Sequence, residues 1–276
     1  MKRIFKWMGI VLGGLIGLTL LAGLILYPIG IKKLTRTYPN IAVESVGIPT
    51  GADAIARGRH ISVIWACTKC HAEDLSGKIL TNDPVEGTIP TFGAIPAPNL
   101  TSGKGGIAQT YTDADWVRAI RHGIKANDQA EIYMYVSTLS DRDLGDLIAY
   151  LKQVPPVDTD SYAMNYGPIL PIAPTLGIFT PAAELIDHSA PHPVDLAPGA
   201  SVEYGNYLSA ICAQCHGNRI SNAVKNWKQE EFIRTFNTGV LPDGRQLGPT
   251  MSSKTFNELN DTELAALWLY FASAKP

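Results

Sequence analysis

The sequence has few cysteines, no Lys/Arg-rich run in its body and no strand-rich stretch, and each absence narrows its class. The 276 residues include four cysteines, and none lies near the N-terminus, so attachment through a lipid-modified cysteine is not supported. The formal net charge is −2, and the lack of a basic patch argues against a nucleic-acid partner. The lack of alternating strand patterns predicts an all-α fold.

Charged residues are also missing from Trp7 to Ile31, where Leu, Ile, Val, Gly and Ala dominate. About 20 such residues cross a bilayer as a helix. The apolar core of a cleaved signal peptide is shorter, roughly 7–15 residues, and precedes a small-x-small site that is not evident here. We therefore predict a retained transmembrane anchor over residues 1–36. A cleaved signal peptide is the alternative, and either one exports the rest of the chain.

Acidic residues are absent from residues 1–36, which carry six basic ones. These are Lys2, Arg3, Lys6, Lys32, Lys33 and Arg36. The first three favour a cytoplasmic N-terminus, although the last three weaken that rule. The prediction is a single pass through the lipid bilayer of a bacterial inner membrane, with the remainder on the periplasmic side. The rest of the chain, after residue 36, has more acidic than basic residues. Its negative charge favours encounter with partners that carry a basic patch.

Two stretches of the chain repeat one plan in the same order. Cys67-Thr-Lys-Cys70-His71 is matched by Cys212-Ala-Gln-Cys215-His216. Residues 113–118 and 139–151 then correspond to 229–234 and 259–271. This order predicts a duplicated module, with one domain over residues 50–155 and a second over 201–276.

Helix signals accompany both copies. Ser140 and Asn260 can each cap a final helix, and Asp143 and Glu263 stand three residues later, as in a capping box. Further helices are predicted at 52–65, 112–122, 202–211 and 228–237. Nine prolines interrupt residues 155–200, so the segment 156–200 is predicted to be an extended linker, wrapped over the domains by its apolar residues.

The Cys-x-x-Cys-His spacing predicts covalent attachment of a haem at each cluster. Two thiols one helical turn apart can each form a thioether with a haem vinyl group, and the adjacent histidine can bind the iron. The predicted attachment residues are Cys67, Cys70, His71, Cys212, Cys215 and His216. Two covalently bound haem c groups are therefore expected.

Three other interpretations compete with haem attachment. A structural zinc site would need the two cysteine pairs to meet although they lie far apart in sequence. A thioredoxin-like dithiol expects a βαβ context, which is missing. Disulfides suit an exported protein but leave both histidines unexplained.

The second axial ligand decides between electron transfer and catalysis, because a sulfur ligand closes the coordination sphere. Met251 is the only methionine between its cluster and the last helix, and Met134 is its counterpart in the first copy. The predicted iron ligands are thus His71 with Met134, and His216 with Met251. Met164 and His122 are the alternatives for the first haem. His60, His188 and His192 are interpreted as ordinary packed or solvated residues.

At these residues the chain resembles the class I cytochrome c superfamily. More narrowly, it is similar to bacterial membrane-anchored di-haem cytochromes and to cytochrome subunits of periplasmic dehydrogenases. The resemblance also rests on Pro98-Asn-Leu-Thr101, Tyr111-Thr-Asp-Ala-Asp-Trp116 and the Tyr150-Leu151 ending. It implies helical haem domains, His/Met ligation and carriage of single electrons. The first copy has a shorter interval after Met134, which departs from the pattern.

The sequence therefore predicts a membrane-anchored electron carrier rather than an enzyme. Its expected donor is a dehydrogenase or quinol-oxidising complex, and its expected acceptor is an oxidase, a reductase or a reaction centre. Two other hypotheses are a di-haem enzyme such as a peroxidase, which needs an open iron position, and a haem-bearing structural subunit of a larger complex.

Overall fold

The computed structural model describes residues 2–80, 93–134, 136–161, 163–217, 220–248, 251 and 258–273, without the side chains of 214 and 215. The helices are α1 (Lys2–Leu34), α2 (Ala52–Ile64), α3 (Cys67–His71), α4 (Asp113–His122), α5 (Asp141–Leu151), α6 (Ile172–Thr175), α7 (Ala182–Leu185), α8 (Val202–His216), α9 (Ile220–Val224), α10 (Gln229–Thr238) and α11 (Asp261–Ser273). The strands are β1 (Lys78–Leu80), β2 (Gly93–Ala97) and β3 (Asn165–Tyr166).

Local caps explain where several of these helices begin. The Thr112 hydroxyl accepts a hydrogen bond from the Asp115 amide, and the Asp115 carboxylate accepts one from the Thr112 amide, which closes a capping box on α4. The Ser140 hydroxyl accepts from the Asp143 amide at the start of α5. The Ser201 hydroxyl does the same for α8. These caps satisfy amides that a helix leaves open at its start.

Two helix pairs use the same close crossing. In the first pair, α2 crosses α5 at Gly58, where a Cβ would overlap the carbonyl oxygen of Asp146. In the second pair, α8 crosses α11 at Gly205, where a Cβ would overlap the carbonyl oxygen of Ala266. Glycine is required at both positions because the neighbouring backbone occupies the space that a side chain needs.

One continuous apolar core joins the two helix pairs. Leu144, Leu147 and Ile148 of α5 are almost fully buried in it, as are Leu264 and Leu267 of α11. Each buried leucine stabilises the fold by about 1.5–3 kcal/mol through removal of apolar surface from water. The helix pairs therefore pack as neighbours rather than as separate bodies on a loose chain.

The described residues are mostly helical, as predicted, but they also contain a three-stranded antiparallel sheet that the all-α prediction missed. Its order is β1-β2-β3, with Leu80 opposite Ile95 and Gly93 opposite Tyr166. β1 and β3 have three and two residues, too few for a periodic pattern. β2 has five residues that alternate in burial, but its sequence, Gly-Ala-Ile-Pro-Ala, has no polar residue and contains a proline, so it gives no alternating signal.

The predicted extended linker also forms more structure than expected. It contributes β3 and the single-turn helices α6 and α7, and Leu170 and Ala182 are buried. A proline at the start of a helix is tolerated because the amide it lacks would be unpaired there, and Pro171 and Pro181 precede these two helices. The segment thus packs on β2, on α1 and on the chain at Glu131.

α1 is exposed along its apolar length, and by length and composition it could cross a membrane. No other helix among the described residues meets the same test. Its C-terminal part contacts the linker: Lys33 Nζ donates to the Pro174 carbonyl over 2.8 Å, and Thr175 Oγ1 donates to the Leu26 carbonyl over 3.2 Å. Leu34 is buried in a small cluster with Ile95. α1 is therefore fixed against the body that follows it.

Candidate functional site

The first Cys-x-x-Cys-His cluster lies on its own short helix. α2 ends at Ile64, Ala66 adopts a left-handed backbone conformation with φ of +58°, and α3 begins at Cys67. Cys67 and Cys70 stand three residues apart on this turn, so both side chains lie on one face. Both thiols are free in this structure.

The imidazole of His71 is buried and oriented by a loop. Its Nδ1 lies 2.8 Å from the Pro98 carbonyl oxygen, so Nδ1 carries the hydrogen and Nε2 keeps a free lone pair. Burial lowers the pKa of His71, which favours the neutral ring that a metal requires. A backbone acceptor at the far ring nitrogen is the usual way in which a histidine ligand is held.

The loop behind His71 is tied to the linker. Asn99 donates from Nδ2 to the Val157 carbonyl over 2.7 Å, and its Oδ1 accepts from the Thr101 amide over 2.8 Å. Asn99 and Thr101 are both buried. The Pro98-Asn-Leu-Thr101 motif thus holds the Pro98 carbonyl in position toward His71.

Beside this cluster lies a largely apolar cavity of about 270 Å³. Cys67, Cys70 and His71 form part of its wall, and Met134 and Met164 also line it. The remaining wall is mostly apolar and comes from several elements: Trp65, Leu80, Ile95, Leu100, Ile107, Trp116, Ile120, Ile132, Val136, Leu147 and Leu151. Thiols, an imidazole and a thioether are thus brought together around one apolar space.

The residues present fit a haem. Two thiols and an imidazole with a free Nε2 are the donor set that covalent haem attachment uses. The indole nitrogen of Trp116 is buried in the cavity wall without a hydrogen-bond acceptor among the described residues, and an acidic group on a bound porphyrin would supply one. Burial raises the pKa of the Cys67 thiol to about 12.

Polar groups at the rim of the cavity are few. Glu131 is half-buried, the loss of solvent raises its pKa, and Lys125 lies 3.8 Å from it. Burial also raises the pKa of Tyr111 to about 12, so its hydroxyl stays neutral. Tyr111 packs edge to face on Trp116 with ring centroids 5.3 Å apart. The charged residues of the wall are Lys69, Lys125 and Glu131, and the rest of it is mostly apolar or aromatic.

The second cluster lies at the end of α8, which continues from Val202 through His216 without a break. Cys212 is buried in the shared core, and His216 is the last helical residue. The side chain of Cys215 lies outside the described residues. Met251 is half-buried against the same core, and its amide donates to the Gly248 carbonyl over 2.9 Å. The assignment of Met134 and Met251 as iron ligands stays a prediction.

Three histidines that the sequence marks as ordinary have specific partners. His60 Nε2 lies 2.7 Å from Glu263 Oε1, across the contact between the two helix pairs. His122 Nδ1 lies 3.0 Å from His188 Nδ1, and His192 lies 2.9 Å from Asp141. His122 does not line the cavity, unlike Met134. No sequence signal marks these pairs, because each joins residues distant in the chain.

Residues 55–155 match the model of the family described as Cytochrome c. This range contains the first cluster, the Pro98 loop, Trp116 and Met134. The resemblance to the class I cytochrome c superfamily is confirmed for this part of the chain, and a cytochrome c domain implies a covalently bound haem c.

Two relatives are named as cytochrome subunits. The chain is 26% identical over 268 residues to the fructose dehydrogenase cytochrome subunit of Gluconobacter japonicus, a match covering 82% of this chain and 54% of that protein. It is 26% identical over 181 residues to the gluconate 2-dehydrogenase cytochrome c subunit of Pantoea cypripedii, covering 60% of this chain and 38% of that protein. The chain spans about half the length of these relatives or less. Their names agree with the prediction of an electron carrier rather than an enzyme.

Proposed function

We propose that this chain is a membrane-anchored di-haem cytochrome that carries single electrons from a periplasmic dehydrogenase or a quinol-oxidising complex toward a terminal acceptor. The proposal depends mainly on one observation: a single apolar cavity is lined by Cys67, Cys70, His71 and Met134. A haem c held there would supply an iron with two accessible oxidation states, which is the chemistry of an electron carrier.

The roles of the chain's own residues follow from the geometry around that cavity. Cys67 and Cys70 would hold the haem through thioethers, and His71 would bind the iron through the Nε2 that faces away from Pro98. Met134 would close the opposite side. The apolar wall excludes water, and a less polar surrounding disfavours the more charged oxidised iron and raises the reduction potential.

A second haem is supported by the duplicated plan. The second cluster, like the first, follows a helix whose glycine crosses the last helix of its own copy. Met251 packs against the same core as Cys212. We therefore assign Cys212, Cys215, His216 and Met251 to a second haem site, and residues 50–155 and 201–276 to two tandem domains joined by 156–200.

Membrane anchoring by α1 is supported by its 33-residue length and its exposed apolar surface. The basic residues in its first turns, Lys2, Arg3 and Lys6, favour a start on the cytoplasmic side, and the haem domains would then lie in the periplasm. Tethering raises the local concentration of a carrier near membrane-bound partners. The relatives' names suggest that a sugar- or sugar-acid-oxidising dehydrogenase is the electron donor.

Mass measurement of denatured protein, matured in cells that attach haem, tests the cofactor count. Full-length protein is expected to carry two haem masses, and Cys67→Ala/Cys70→Ala and Cys212→Ala/Cys215→Ala are each expected to carry one. A mass without haem would overturn the proposal, and one haem in the unmodified chain would restrict it to a single-haem carrier.

Met134→Ala tests the axial ligand in the first site, with Met164→Ala as a matched control because both methionines line the same cavity. Met134→Ala should remove the sulfur-to-iron absorption band of the first haem, preferably measured in the Cys212→Ala/Cys215→Ala background, and should let carbon monoxide bind the reduced protein. Met164→Ala should change neither. The reverse result would transfer the ligand role to Met164.

A further inference from the structure

The contact between the two helix pairs is reciprocal, as in a symmetric dimer. His60 lies two residues after the crossing glycine of α2, and Tyr207 lies two residues after the crossing glycine of α8. His60 contacts Glu263, and Tyr207 contacts Asp143. His60 and Tyr207 occupy equivalent positions in the two modules, and each contacts the third residue of the last helix of the other module.

Such reciprocity is the signature of an isologous interface, in which one surface contacts its own equivalent. In a homodimer both contacts would be identical, whereas here each half has its own chemistry. In the first half, the imidazole of His60 lies 2.7 Å from the carboxylate of Glu263, and Arg59 lies 3.8 Å from Glu258 beside it. The half formed by Tyr207 and Asp143 uses a neutral donor.

The Tyr207 hydroxyl also completes a helix cap in the other module. In the second module, the Glu263 carboxylate accepts the Asn260 amide directly over 2.9 Å, which closes the capping box of α11. Asp143 is one methylene shorter than Glu263. At α5 the Tyr207 hydroxyl stands between the two groups: it accepts from the Ser140 amide over 3.2 Å and donates to Asp143 Oδ2 over 2.6 Å.

The polar groups joined by these contacts are buried, so losing either contact would leave one of them without a partner. Ser140 is 1% exposed, so without the hydroxyl its amide would be buried and unpaired. Glu263 is 4% exposed and similarly depends on His60 for its second oxygen. Tyr207 also stacks on Tyr204 of the same helix, with ring planes 19° apart, which fixes its direction.

We propose that the two modules form a fused isologous pair, clasped by His60–Glu263 and Tyr207–Asp143, and that this clasp positions the two haem sites relative to each other. The inference rests on the proposed function only in taking each module as a haem carrier. His60 and Tyr207 are positioning residues, since neither is among the proposed haem-binding residues. α2 ends just before the first cluster, and α8 carries the second. Because the clasp joins each of them to the last helix of the other module, it limits the relative movement of the haem sites.

Hydrogen exchange followed by mass spectrometry on the full chain in detergent tests the clasp, with Tyr207→Phe as the central variant. The loss of one oxygen should accelerate exchange in the first turn of α5, in the other module, by about tenfold, because the Ser140 amide loses its acceptor. Tyr204→Phe is the matched control on the same helix and should leave α5 unchanged. His60→Ala should accelerate exchange at the start of α11 and not at α5.

The clasp is supported if each variant accelerates exchange in the other module. A purely local role would instead accelerate exchange in the module that carries the substitution. Unchanged exchange in α5 of Tyr207→Phe, or acceleration confined to α8, would overturn the inference. The haem mass of the same samples is read in parallel. A second module without haem would contradict the proposed function, whereas the exchange pattern would still decide the clasp.

Discussion

A methyl group at Gly58 tests the helix crossing that shapes the first module. A Cβ there would overlap the Asp146 carbonyl oxygen and approach the Tyr150 Cβ to 2.8 Å. Backbone cannot move aside as a side chain can, so α2 and α5 have to separate. Overpacking costs about 1–3 kcal/mol, while alanine returns about 1 kcal/mol of helix propensity. With the steric cost at its upper end, we expect Gly58→Ala to lower the free energy of unfolding by about 2 kcal/mol.

Urea denaturation of the detergent-solubilised chain, followed by circular dichroism, measures this change. For a unit of about 100 residues the same loss lowers the melting temperature by roughly 10 °C. Ala56→Gly is the control, since Ala56 lies exposed on the same helix and should lose only the propensity difference, about 1 kcal/mol. Gly205→Ala should repeat the effect in the second module. A stabilised Gly58→Ala protein would refute the crossing.

Three further perturbations have defined outcomes. The pKa of His122 is lowered to about 4, mainly by burial. Between pH 6.5 and 4 the unfolded chain therefore binds more protons at this residue than the folded chain does. We expect the free energy of unfolding to fall by up to about 3 kcal/mol as the pH drops through that window. His122→Asn should flatten this dependence in melting curves, and an unchanged slope would contradict it. Arg57→Ala removes the arginine that lies 2.8 Å from the 1% exposed carboxylate of Asp146, and it should lower the free energy of unfolding by about 2 kcal/mol in urea titrations. Arg59→Ala breaks only the exposed pair with Glu258 and should cost at most about 1 kcal/mol. Equal losses in the two variants would contradict this difference. Leu147→Ala should cost about 2–5 kcal/mol by the same measurement, because Leu147 is 1% exposed, and a loss below 1 kcal/mol would exclude its place in the core.

Helix positions could be predicted because caps and apolar faces are local signals. The prediction of a helix over 112–122 matches Asp113–His122, whose start is fixed by Thr112. The prediction over 202–211 was too short, since α8 runs on to His216. The equivalent helix in the first copy ends before its cluster because Ala66 adopts a left-handed backbone conformation. Alanine rarely adopts that conformation, so the sequence gives no signal for the difference.

Contacts between distant residues were beyond the sequence pattern. β2 pairs with Asn165–Tyr166, and neither strand gives an alternating signal in the sequence. His60 meets Glu263 across 203 positions, and Tyr207 meets Asp143 across 64. The cluster at Cys67 could be predicted as an attachment site because the chemistry of attachment fixes the spacing of its residues. Residues such as His60 and Tyr207 depend only on the surface that they contact, and no spacing marks them.

The wall of the cavity draws on chain from both sides of the first cluster, from Trp65 to Met164. A group joined at Cys67 and Cys70 is therefore surrounded only after the polypeptide as far as Met164 has arrived and folded back. If a haem is attached there as proposed, attachment would act on a chain that has not yet closed around it. Folding would then complete around the prosthetic group, and a delay in its supply would leave this half of the molecule exposed to proteolysis.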